Sequence, residues 1–249
     1  MFIFKKIYFI KKIRNCDIIK EINNKQEAKL VDFHIHTLFS DGTYTPEEIA
    51  ETAFKNGIKA FAITDHDSVD GIERGRAAAL KEGIEFVSGI EFSTDFLGKE
   101  IHILGYFLNE KDPEFLNTLE MLRREREDRT VKIIKKLNEL KIGITEEDVK
   151  KEVTSDLISR NHIASALLKK GFVKNRGEAF YRYLGSSGAA YIPKTSFPPE
   201  KAVEAIKKNG GVAVLAHPKL IPLGQGKFNG LLELLGNYGL DGIETYYPG

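Results

Sequence analysis

The sequence predicts an α/β fold of repeated strand–helix units interrupted by a helical insertion. Three observations predict it. Short apolar runs alternate with capped helices across residues 30–107. A long, charged, helix-forming stretch breaks that rhythm across residues 112–190. The alternation then returns at Pro199. Repeated βα units of this length argue for a parallel sheet or barrel.

The first strand is expected over residues 30–36, where Val31, Phe33 and Ile35 alternate with Asp32, His34 and His36. Side chains alternate with period two along a strand, so the apolar set is expected on a buried face and the polar set lining a site. Thr45-Pro46-Glu47-Glu48 reads as a helix start, with a cap residue, proline in the first turn and acids behind it. Gly57 stops that helix. Ala60-Phe61-Ala62-Ile63-Thr64 is a short apolar run, expected as a buried parallel strand. A helix over residues 70–82 is closed by Gly83, and strands follow over residues 85–91 and 101–107.

In the insertion, a helix is expected over residues 113–140, with Leu116, Leu119, Leu122, Val131, Ile134 and Leu137 on its apolar stripe. Arg123, Arg124, Arg126 and Arg129 interleave with Glu120, Glu125, Glu127 and Asp128. That pattern reads as a solvated face of i,i+4 ion pairs, with a nucleic-acid groove as the rival. Further helices start at Thr145 and near Asn161. After the insertion come a helix over residues 199–209, a strand leading to His217, a short helix over residues 231–236 and a last strand over residues 242–246. The expected division is therefore residues 30–111 with 191–249 as one barrel-like unit, and residues 112–190 as the insertion.

The chain has 249 residues, 42% of them hydrophobic and 29% charged, which suits a globular protein with a substantial core. A net charge of +1 gives no overall field to attract a polyanion. One cysteine, Cys16, excludes an intramolecular disulfide and any multi-cysteine zinc site, and fits a reducing, cytoplasmic setting. No apolar run is long enough to span a bilayer, so no membrane association is expected. Residues 1–29 read as a poorly ordered N-terminal extension, with a basic amphipathic helix over the first residues as the alternative.

The titratable residues fall in a pattern. His34 and His36 end the first strand, and Asp65-His66-Asp67 follows the second. Glu91 ends the third, His102 lies on the fourth, and His217 ends a later one. In a parallel barrel these positions meet at one mouth. Mixed imidazole and carboxylate ligation suits Zn²⁺, Mn²⁺ or Fe²⁺. So many donors exceed the needs of one ion, so two or three are expected, with Glu91 a candidate bridge. Such a site activates water, and no protein nucleophile is then required. Phosphate-cradling loops, dinucleotide glycine motifs, GxSxG elbows and HExxH helices are absent from the sequence.

Seven motifs in order carry a resemblance: His34-Ile35-His36-Thr37, Ser40-Asp41-Gly42, Thr64-Asp65-His66-Asp67, Gly89-Ile90-Glu91, His102-Ile103-Leu104-Gly105-Tyr106, Arg160 to Ala164, and Gly211 to Pro218. Together they resemble the PHP (polymerase and histidinol phosphatase) superfamily, and most of all its stand-alone phosphoesterases. Those include 3′,5′-nucleotide (pAp-type) phosphatases and a 5′–3′ exoribonuclease acting on short RNA. The resemblance implies a distorted (β/α)₇ barrel with a trinuclear metal site. His34 and His36 would bind the first ion, and Glu91 would bridge it to the second. His102 and His217 would complete the second ion, and Asp41 and His66 would bind the third. Arg160 and His162 would hold a substrate phosphate, for which a guanidinium fork is well shaped.

Two departures stand out. Asn161 occupies a position where the family usually has proline. The family's final glycine-rich Asp-x-His motif is missing before Gly249, so the C-terminal part of the barrel is expected to lie outside this chain, with an incomplete barrel and an impaired site as the alternative. Asp65 and Asp67 are read either as supports for His66 and an ion or as loop caps. His162 has an alternative role in an ordinary helix start at Ser159. Lys194 is read as solvated, with a substrate-facing role as its rival.

The expected activity is metal-dependent hydrolysis of a phosphorylated nucleotide or a short 5′-phosphorylated oligonucleotide. No obligate protein partner is expected. The rivals are a histidinol-phosphate phosphatase and a non-catalytic PHP module that serves a structural or partner-binding role.

Overall fold

The computed structural model describes residues 7–9, 30–152, 158–193 and 197–245. Among them is one seven-stranded sheet, curled into a half-barrel. Its strands are β1 (Ile7–Phe9), β2 (Val31–Ile35), β3 (Ala60–Ile63), β4 (Glu85–Phe96), β5 (Lys99–Tyr106), β6 (Val212–Leu215) and β7 (Gly242–Glu244). Their order across the sheet is β1-β7-β6-β5-β4-β3-β2. Of the expected N-terminal extension, Ile7–Phe9 pairs antiparallel to β7. The rest of that extension, with Cys16, lies outside the described residues, as does Lys194.

The helices are α1 (Pro46–Lys55), α2 (Ile72–Glu82), α3 (Pro113–Glu139), α4 (Glu146–Lys150), α5 (Arg160–Lys169), α6 (Arg176–Ala179), α7 (Pro199–Lys208) and α8 (Gln225–Tyr238). A π-helical turn, Phe180–Leu184, continues α6. The predicted caps form. Thr45 and Glu48 make a reciprocal capping box on α1, and Gly83 closes α2 in the left-handed conformation. Among the described residues no helix is long and apolar enough to cross a membrane.

The sheet is not all parallel, and this corrects the sequence reading. β2, β3 and β4 run parallel, as do β6 and β7. β5 runs antiparallel to both of its neighbours, β4 and β6. The expected third strand does not stop at Glu91 but continues to Phe96. There Leu97 and Gly98, both at positive φ, form a two-residue hairpin into β5. His102 sits in the first half of β5, and the reversal brings it level with the carboxyl ends of the neighbouring strands.

A second correction concerns β2. Its register against β3 slips between Asp32 and Ile35, a bulge that breaks strict alternation. Phe33 packs inside the curl with Ala60, Ala62, Leu104, Tyr106 and Val214. Ile35 packs on the opposite face with Phe61, Ile63 and the apolar sides of α1 and α2. The bulge turns His34 inward directly after Phe33.

The convex face of the sheet is covered twice. α1 and α2 cover β2 to β4. The start of α3, together with α7 and α8, covers β4 to β6 through Phe92, Phe115, Val203, Ile206 and Leu235. A separate apolar core forms where Ile133, Ile134 and Leu137 of α3 meet Ile163 and Leu167 of α5. Thus α3 belongs to two cores. Its buried stripe runs through Phe115, Leu119, Leu122, Ile133 and Leu137, while Leu116 and Val131 face solvent. α8 is also longer than expected from its glycines, and Gly239 at φ 99° ends it.

Candidate metal centre

The site forms at the rim where β2, β3, β6 and β7 end and past which β4 and β5 continue. Its loops are set by carboxylates and glycines. Asp65 follows β3 and accepts hydrogen bonds from Thr37 N (2.7 Å), Thr37 Oγ1 (2.6 Å) and Ser40 Oγ (2.6 Å). That clamps the loop carrying Asp41. A Cβ on Gly42 would stand 2.3 Å from the His36 carbonyl oxygen, so only glycine permits this close turn. Asp41 is thereby brought to 3.6 Å from His36 Nδ1 and 4.0 Å from His66 Nε2. Backbone bonds from Glu91 N to Asp65 O and from Asp67 N to Glu91 O lock the His66 segment beside β4.

Glu91, 1% exposed, is the centre of the cluster. Its Oε2 lies 3.0 Å from His34 Nε2, 3.0 Å from His36 Nε2 and 3.5 Å from His66 Nε2. Its Oε1 lies 3.0 Å from both His102 Nδ1 and His217 Nε2, which are themselves 3.1 Å apart. Five of the six histidines therefore converge on one carboxylate. Three overlapping donor sets have ligand atoms within 4.8 Å of one another: His34, His36 and Glu91; His36, Asp41 and His66; His66, Glu91 and His102.

The electrostatics of this cluster call for cations. Burial acts to raise Glu91, but His34, His66 and His102 hold its carboxyl well below the ordinary range. Burial lowers His66 to about 4, with Glu91 opposing. Burial also acts to lower His102, yet Glu91 and Glu100 outweigh it and push His102 up to about 10. On the protein alone, a proton on His102 supplies positive charge beside Glu91. His102 Nε2 is buried, with Glu100 Oε1 3.5 Å away. Lone pairs from several imidazoles facing one carboxylate fit the donor set of divalent metal ions such as Zn²⁺, Mn²⁺ or Fe²⁺.

The rim opens into a cavity of about 290 Å³ between the half-barrel and the insertion. One wall carries Asp41, His66 and His102, and the other carries Arg126, Arg129 and Arg160. Arg160 lies over the Phe180 ring and 3.7 Å from Glu100. Its neighbour His162 does not line the cavity. Instead His162 Nδ1 accepts from Ser159 N (3.0 Å) in the cap of α5. Burial and the Arg176 charge lower His162.

Sequence reasoning missed three residues here. Arg126 and Arg129 are not on a solvated face, although Arg123 and Arg124 do make the expected i,i+4 pairs with Glu127 and Glu120. Arg126 pairs with the buried Asp67, which also accepts from Ser93 N. Arg129 donates to Ile192 O, and burial together with Arg160 lowers it to about 10, so it stays charged at neutral pH. The signal was present: positions 115, 119, 122, 126, 129, 133 and 137 follow one helical stripe. The third missed residue is Glu244. It is fully buried, lies 3.0 Å from His34 Nδ1 and accepts from His217 N at 2.7 Å. An acid within the short final strand was its only trace in the sequence.

A curled α/β sheet with this rim is the architecture of a metal-dependent hydrolase. The chain belongs to the PHP domain family, whose model matches residues 32–209. Over 192 residues it is 36% identical to a 5′–3′ exoribonuclease of Haemophilus influenzae, covering 77% of this chain and 69% of that protein. Over 216 residues it is 31% identical to a 3′,5′-nucleoside bisphosphate phosphatase of Chromobacterium violaceum, covering 86% of this chain and 76% of that one. A solved structure described as a metal-dependent phosphoesterase, from Bifidobacterium adolescentis, matches with a TM-score of 0.77 at 30% identity. It covers 87% of this chain and 77% of its own. The chain is a metal-dependent phosphoesterase of the PHP family.

Proposed function

We propose that this chain hydrolyses phosphate esters of nucleotides of the pAp type, or of short 5′-phosphorylated oligonucleotides. The observation that carries the reading is the facing of two walls: clustered imidazoles on one side of a cavity and three guanidinium groups on the other. The names of the two relatives support the same substrate class.

His34, His36, Asp41, His66, Glu91, His102 and His217 would hold two or three divalent ions, with Glu91 shared between them. Bound there, such ions supply an activated water and Lewis-acid stabilisation of phosphoryl charge. The protein's own groups do the rest. Arg160 presents a planar fork to phosphate oxygens, and Arg129, deprived of solvent, attracts an anion more strongly than a surface arginine does. Asp65 and Ser93 hold the ligand-bearing loops in place before substrate arrives. His162 acts from the cap of α5 by fixing the direction in which Arg160 leaves the helix.

The test is direct. The full chain, loaded with Mn²⁺, is assayed for phosphate release from pAp and for nucleotide release from a 5′-phosphorylated short RNA. Turnover of either, abolished by EDTA and restored by Mn²⁺, is the expected result. A metal-loaded chain inert toward both would remove the proposed substrate class.

A further inference from the structure

Glu244 spans two of the clustered histidines at once. Its Oε1 stands 3.0 Å from His34 Nδ1, while His34 Nε2 faces Glu91. Its Oε2 accepts the backbone N–H of His217 at 2.7 Å. His217 needs that support, because it sits at φ 29° and ψ 58°, a backbone conformation unfavourable for a residue with a Cβ. Glu244 is brought there by the parallel pairing of β7 with β6, the strand that ends just before His217. It is fully buried, so its two oxygens are held without competition from bulk solvent.

We propose that Glu244 is a positioning residue of the metal centre. It fixes His34 as the Nδ1–H tautomer, leaving Nε2 as the donor atom, and it holds His217 in its strained turn. A carboxylate behind a ligating imidazole sets ring orientation and raises its basicity. Here one carboxylate does this for one imidazole and places the backbone of a second. The inference rests on the metal-centre reading above.

The experiment measures metal affinity, not turnover. Apo protein prepared with EDTA is titrated with Mn²⁺ and free ion is followed by electron paramagnetic resonance. Glu244→Gln keeps the shape but supplies only one acceptor oxygen. It is expected to weaken at least one Mn²⁺ site about 10- to 100-fold, while circular dichroism shows the apo form still folded. Equal Mn²⁺ affinity and stoichiometry in wild type and variant would overturn the role. A second measurement needs no variant. In ¹⁵N-histidine-labelled, Zn²⁺-loaded wild type, His34 is expected to carry its proton on Nδ1, and a proton on Nε2 would overturn the assignment. Inactivity toward both proposed substrates would strike the substrate class alone.

Discussion

At the scale of single residues, this site depends on groups outside the cluster of imidazoles and Glu91. Asp67 is 2% exposed at its side chain and leans on Arg126 from the insertion. Removing one partner of a buried pair leaves an uncompensated charge. Arg126→Met is therefore expected to cost about 3–5 kcal/mol in urea unfolding. Adding Asp67→Asn to that variant should recover much of the loss. If the double variant is no more stable than Arg126→Met, the pair is not what the arginine supplies. Gly42 is the second case. Its Cβ would meet a main-chain oxygen that cannot give way. Gly42→Ala should push Asp41 from His36 and His66 and lower Mn²⁺ affinity about tenfold, a loss on the scale seen when metal-site supports are removed. Ser40-Asp41-Gly42 was visible as a motif from residue types alone. Arg126 and Arg129 were hidden because neighbouring acids mimic a solvated face.

At the scale of elements, strand direction and helix contacts decide what the motifs can do. The antiparallel β4–β5 hairpin was not legible, because its turn is only Leu97-Gly98 and the apolar pattern runs through both strands. Yet the hairpin is what carries His102 to the rim. Gly89, in β4, packs so closely that a Cβ would lie 2.8 Å from the Ile63 carbonyl. Gly89→Ala is expected to destabilise the protein by about 1–3 kcal/mol, the usual cost of overpacking, as measured by thermal or urea unfolding. In the insertion, Lys170 at the end of α5 grips Asp148 of α4 at 2.6 Å. That bond, with the Thr145 cap, lowers Asp148 from its ordinary 3.8 to about 2. A depressed carboxyl stabilises the folded form above its unfolded value and stops doing so as pH falls through the folded one. The α4–α5 contact should hold at pH 5 and loosen between about pH 4 and 2. Amide exchange in α4 that is unchanged over that range would contradict this.

At the scale of the whole molecule, two apolar cores share one helix, and the metal rim and cavity lie where they meet. α3 is buried against the half-barrel by Phe115, Leu119 and Leu122 and against the insertion by Ile133 and Leu137. Between these halves Arg126 and Arg129 are turned into the cavity. Ligand sites commonly form at such junctions. Since the proposed ligands lie on or just after β2 through β6, a bound ion would tie together segments far apart in the chain. Mn²⁺ at a hundredfold excess over its Kd should therefore stabilise the fold by about 2.7 kcal/mol. The melting temperature should rise with Mn²⁺ and fall with EDTA. A midpoint insensitive to both would mean that no ion is shared between these segments.

What the sequence determined by itself was the family: imidazoles and acids in an order seven motifs long, broken by a charged helical stretch that begins at Pro113. These are local properties, written in residue type, spacing and capping. Only the tertiary structure decided which way β5 runs, which face Ile35 takes after the bulge, and that Arg126, Arg129 and Glu244 join the site. Those features depend on contacts between residues tens to hundreds of positions apart, such as His34 with Glu244. The burial and charge pairing that select them exist only once the half-barrel has curled and the insertion has packed across its rim.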